Sequence, residues 1–181
     1  MKVMKRVLSS AILCCALIFA AQSVSMAQNA VEARKSPMAM TNLLSGETYV
    51  SIVYSQPHMR DRKVFGGLVP FGEIWRLGAN EATQITLTSD VEVGGETLEK
   101  GTYTMFAVPE EDKWTIVFNS KLGQWGSYDY NTEFDVLRVP AEVEQVEEPW
   151  EAFTLNLEEA ENGAILTMIW ENTQAMLPIT F

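Results

Sequence analysis

Beyond residue 36, polar and apolar positions alternate with a period of two, the spacing of a strand with one buried face. In "TYVSIVYS" the alternation places Val50, Ile52 and Tyr54 on one side. In "WTIVFN" it does the same for Trp114, Ile116 and Phe118. "TQITLTSDVEVGGETLEKGTYTMFAVP" predicts three strands, with turns at "GGE" and "EKG". "FDVLRVPAEVEQV", "EAFTLNLEE", "AILTMIWEN" and "AMLPITF" predict further strands, and "ENGA" predicts a hairpin turn. No segment past the N-terminal region sustains a helical stripe. Roughly eight to ten short strands predict an all-β fold, a single antiparallel β-sandwich, jelly-roll-like or immunoglobulin-like.

The first residues follow another pattern. Lys2, Lys5 and Arg6 precede the apolar run "VLSSAILCCALIFAA", and Ser25 and Ala27 supply the small residues of an export-signal cleavage site. The apolar run is shorter than the ~20 residues a spanning helix needs. The expected organisation is a cleaved signal peptide at 1–27, a linker at 28–35 and one domain at 36–181, with no stable membrane insertion after cleavage. Cys14 and Cys15 lack the small preceding residue of a lipidated cysteine, so both leave with the signal. The exported chain then has no thiol for a disulfide, a nucleophile or a zinc–thiolate site.

Charge narrows the partners. The formal net charge is −11, and removal of Lys2, Lys5 and Arg6 takes it to about −14. Such a surface repels nucleic acid, whose binding rests on cationic neutralisation of phosphates. Much of the acidity is local: Glu142, Glu144, Glu147, Glu148, Glu151, Glu158, Glu159 and Glu161 crowd one late segment and read as solvated strand faces. Charged edges resist strand-to-strand pairing, so a monomer is expected.

Several motifs together resemble a known family. Ser36-Pro37, "VYSQPHMRDRKVFGGLVPFGEIWRLGANEAT", "GTYTMFAVP", "WTIVFN" and "DVLRV" resemble the bacterial domain of unknown function 2911. The resemblance covers nearly the whole exported chain. It implies an exported β-rich protein of the periplasm or cell surface of a Gram-negative bacterium, with no established activity. The dihydrolipoamide dehydrogenase names carried by some relatives do not fit this chain. It has no G-x-G-x-x-G after a strand and no C-x-x-C, and it is too short for two nucleotide domains. "QPHMRDR" departs from the shorter family pattern at that place, so His58 and Met59 are not expected to carry a family function.

Candidate chemistry centres on "VFGGLVPFGEIWRLGANEATQITL", residues 64 to 87. Arg76 offers a planar fork for a carboxylate or phosphate, and Asn80 can donate and accept. Glu81 is a base or a partner for Arg76, and Trp75 is a stacking platform or core. Gly78 is expected to turn the chain after Arg76. A buried Arg76–Glu81 clamp would explain the loop by folding alone. Arg60, Arg62 and Lys63 form a basic patch. Trp125 and Tyr128, in a Gly-flanked loop, suit saccharide stacking. His58 is the single histidine, and no G-x-S-x-G elbow accompanies it. Copper held by His58, Met59, Met38 and Met40 is disfavoured because the methionines sit in different segments. Asp129, Asn131, Glu133 and Asp135 resemble the start of a calcium loop, but Phe134 stands where its glycine belongs and Pro140 where its bidentate Glu belongs. No cofactor or metal is expected. The reading is a non-enzymatic binding or interaction module for a glycan or small anionic ligand, on loops 70–83 and 122–131. The alternative is a hydrolase or lyase using Glu81 and Arg76, with Asp129 or Asp135 as second group.

Overall fold

A computed structural model describes residues 33–181. The expected signal peptide with Cys14 and Cys15, and residues 28–32 of the expected linker, lie outside the described residues. Lys35–Phe181 forms one compact unit.

The architecture is all-β and antiparallel. Nine strands form one open sheet: β1 (Met38–Ser45), β2 (Thr48–Ser55), β3 (Gln84–Leu87), β4 (Val91–Val93), β5 (Glu96–Leu98), β6 (Gly101–Pro109), β7 (Lys113–Asn119), β8 (Asp135–Ala160) and β9 (Gly163–Thr180). Their spatial order is β1-β2-β3-β6-β7-β8-β9-β4-β5. The stretch expected to hold three strands holds four, β3 to β6. Asp90 accepts a hydrogen bond from the Lys100 backbone N–H at 2.8 Å, and this turn detaches β4 from β3. β4 instead pairs with β5 and with the end of β9.

The last four predicted strands merge into two. β8 and β9 run on through a bend, where the register shifts on either side of the Trp150–Glu171 pair. Glu171 takes a left-handed φ of 54° there. Bulges let a strand turn without losing its ladder, so a polar interruption in the sequence becomes a bend. The bend carries the outer half of β8 back to β1. The Leu157 N–H donates to Thr41 Oγ1 at 3.2 Å, and Ser45 Oγ donates to Glu159 Oε1 at 2.9 Å. The sheet thus folds over one core.

That core is built from the predicted faces: Val50, Ile52, Trp114, Ile116 and Phe118 are fully buried, and Tyr54 nearly so. The late glutamates are all exposed. β6 and β7 are also buried on their second face, where Phe106 and Val117 pack under Ala82, Ile74 and Tyr130. The β2–β3 connection, residues 56–83, therefore covers the outer face of the sheet. It is held by backbone pairing: Trp75 exchanges both hydrogen bonds with Ala107, at 2.7 and 2.8 Å, and Gly72 N–H donates to Pro109 at 2.8 Å.

Candidate functional site

The long connection returns to the sheet through Trp75. Its ring lies in the core, stacked on Trp170 with centroids 6.0 Å apart and edge-on to Phe65, Trp114 and Phe153. Its Nε1–H donates to the Gly78 carbonyl at 3.1 Å. Trp75 is therefore an anchor of the loop and not an open stacking platform. The turn expected at Gly78 is made by its neighbours, since Leu77 and Asn80 take left-handed φ values of 51° and 55°. Gly78 serves close approach: a Cβ there would stand 3.0 Å from the Ser55 carbonyl oxygen. Thr83 donates its hydroxyl to the Leu77 carbonyl and closes the turn.

Between this turn and the start of the connection lies a cavity of about 310 Å³. Arg60, Arg62, Arg76 and His58 line it, with Asn80 at its wall and Trp75 and Trp170 below. No carboxylate among the described residues lines it. That is a strong local reversal in a chain of net charge −11. The guanidinium groups of Arg60 and Arg62 also donate hydrogen bonds to main-chain carbonyls. Arg60 Nη2 donates to Lys35 O at 2.7 Å, and Arg62 donates to Met59 O and His58 O at 2.9 and 2.8 Å. Arg60 and Asp61 hold left-handed φ values of 51° and 57°. The Glu151 carboxylate steadies that turn by accepting the Arg60 backbone N–H at 2.9 Å. Such a conformation is held only where its surroundings enforce it.

Two nitrogens of lining residues have no partner among the described residues: Arg76 Nε and His58 Nδ1, both buried from solvent. A buried polar group left unsatisfied costs about 1–3 kcal/mol. Arg76 and Glu81, expected as a clamp, line different recesses. Glu81 lines a smaller recess of about 190 Å³ with Met38, Val53 and Gln84, and accepts the Ser55 hydroxyl at 3.4 Å. Lys63 likewise parts from Arg60 and Arg62, lying in an open groove beside Glu110, Glu111 and Glu171.

The loop of residues 122–131 docks on the same turn. Gly126 N–H donates to Asn80 O at 2.9 Å, and Ala82 N–H donates to Gln124 O at 3.0 Å. Loops 70–83 and 122–131 are thus neighbours, as the sequence reading required. Trp125 is 57% and Tyr128 82% exposed, and neither lines the cavity. Asp135 is committed elsewhere. It accepts Tyr130 Oη–H at 2.6 Å and Asn119 Nδ2 at 2.9 Å, and pairs with Arg138 at 2.9 Å. In the calcium-like stretch Asn131 caps the short 3₁₀ turn Thr132–Phe134 by accepting the Glu133 N–H. Among the described residues no group of three or more His, Cys, Asp or Glu gathers as a metal site would.

Burial, with the Asp135 hydrogen bond and charge, pushes the Tyr130 phenol up to about 12 from 10.0. The neutral phenol is favoured by the fold, so its contribution is full below pH 10.0 and is lost as pH rises toward about 12. Denaturant midpoints measured across that window are expected to fall more steeply for the native protein than for Tyr130→Phe.

His58 and Trp170 are the site residues that the sequence reading missed. His58 stood in the departing "QPHMRDR" segment. Trp170 read as an ordinary strand residue, and nothing local linked it to a loop about a hundred residues earlier. Comparison with curated proteins and with solved structures yields no match. A family model described as "Protein of unknown function (DUF2911)" matches residues 36–179, from just before β1 almost to the end of β9. With the whole β2–β3 connection inside the match, the chain belongs to the DUF2911 family.

Proposed function

We propose that this is an exported, non-enzymatic binding module of the periplasm or cell surface, and that it takes a small anionic ligand in the arginine-lined cavity. The observation that carries the reading is that Arg60, Arg62, Arg76 and His58 line one cavity with no carboxylate residue among the described residues that line it. An anion there would take charge-assisted hydrogen bonds from the arginine guanidinium groups, which are stronger than neutral ones. The cavity's size is at the lower end for a small-molecule site, about 300–1,000 Å³.

The same observations weigh against the enzyme alternative. Glu81 and Arg76 line different recesses, and Asp135 already holds three partners. The expected export signal, Lys2, Lys5 and Arg6 before an apolar run, supports the location. The acidic surface supports a monomer that avoids nucleic acid. Among the described residues no helix is long and apolar enough to cross a membrane.

The test is thermal unfolding of the purified protein at low ionic strength in phosphate, sulfate and acetate titrations. A ligand that binds only the native state raises the melting temperature in proportion to RT ln(1 + [L]/Kd). Saturable stabilisation by at least one of these anions is expected, weakening with added sodium chloride. No saturable shift with any of them would overturn the reading.

A further inference from the structure

We infer that the ligand is an acidic sugar, with its charged group in the arginine cavity and its ring resting on Tyr128 beside Trp125. The inference rests on the anion-binding reading and extends it to the rest of the ligand. A bare inorganic anion would leave most of the 310 Å³ cavity to water, so there is room for the charged group of a larger molecule.

The direction in which that molecule extends is set by two residues that join the cavity to the aromatic loop. Asn80 lines the cavity and accepts the Gly126 N–H. Arg76 lines the cavity, and its Nη1 lies 3.5 Å from where a Cβ on Gly126 would stand. The same point is 2.9 Å from Tyr128 Cε2 and 3.0 Å from Cδ2. Gly126 holds φ at +68°, and its missing side chain lets the tyrosine edge and the arginine head share one small space. The tyrosine otherwise stands open, 82% exposed, next to a residue that binds the charge.

An exposed aromatic beside a cationic pocket suits a pyranose. The axial C–H groups of the sugar face carry slight positive charge and rest on the negative face of the ring. The hydroxyls stay in water or reach Asn80. Among the described residues Tyr128 and Trp125 make no ring contact with another aromatic side chain. So open a platform gives a nucleobase no second stacking face, which favours the sugar over a nucleotide.

The experiment is calorimetric titration of the full protein at low ionic strength with D-glucuronate, D-glucose, acetate and adenosine monophosphate, repeated on Tyr128→Ala. Tyr128 is so exposed that its loss leaves the fold intact. Glucuronate is expected to bind about tenfold tighter than acetate, equivalent to ~1.4 kcal/mol, with no measurable binding of glucose. In Tyr128→Ala, glucuronate should fall to the level of acetate while acetate itself is unchanged. Equal affinities for glucuronate and acetate, or no response to Tyr128→Ala, would overturn the sugar inference and leave the anion reading standing. Tighter binding of adenosine monophosphate than of glucuronate would replace the sugar by a nucleotide. Binding of glucose as tight as that of glucuronate, or no binding of any anion, would remove both readings.

Discussion

Arg76→Gln is expected to weaken anion binding by about ten- to a hundredfold while leaving the unfolding free energy unchanged or slightly raised. The two halves of this result come from one fact: the guanidinium has no ion-pair or side-chain hydrogen-bond partner among the described residues, and its Nε is buried. A hydrogen bond to a charged group is worth about 1.5–3 kcal/mol, which sets the loss of affinity. Removing one member of a buried ion pair would instead cost about 3–5 kcal/mol of stability. Here there is no pair to break, and glutamine ends the desolvation of an unmatched charge. Stability is read from urea unfolding and affinity from the phosphate or sulfate titration. A loss of several kcal/mol with intact binding would make Arg76 a folding residue and sink its role in the site. The pattern expected, stability retained at the expense of function, is that of a group kept for a ligand.

The second large effect is on folding. Trp75→Ala is expected to cost about 3–5 kcal/mol, the range for removing a large aromatic from a packed core. Trp75 is 7% exposed and meets Phe65, Trp114, Phe153 and Trp170 ring to ring. It is also the residue through which the β2–β3 connection pairs with β6, at Ala107. Its loss removes a floor of the cavity and loosens the turn that presents Arg76 and Asn80. Anion binding should therefore fail together with stability, the opposite of the Arg76 result. Trp75→Phe keeps an aromatic in the cluster but loses the Nε1–H donated to Gly78. It is expected to lie between native and alanine on both readouts. An alanine variant with native stability would contradict the placement of Trp75 in the core.

The strands were legible because each rule is local. Alternation in 48–55 and 113–119 sets which side chains face inward, and the tertiary structure buries those same residues. The hairpin turn within "ENGA", at Glu161 and Asn162, follows from the same short-range chemistry. The strand count and joins were less legible: a bulge at Trp150 and a turn at Asp90 look alike in sequence, yet one bends a strand and the other ends it. Side-chain competition for backbone groups decides which, and it depends on what packs nearby.

The site divided in the same way. By itself, the sequence determined the all-β class, the solvated glutamate faces and the placing of Arg76 and Asn80 around one turn, because spacing and residue chemistry carry those. Only the tertiary structure decided that Trp75 faces inward, that Glu81 and Lys63 turn to other recesses, and that His58 joins Arg60, Arg62 and Arg76 at one cavity. Those outcomes depend on how a long connection lies across the second face of β6 and β7, and on Trp170 reaching it from β9. Contacts between residues far apart in the chain follow from packing of the whole sheet, which no local pattern encodes.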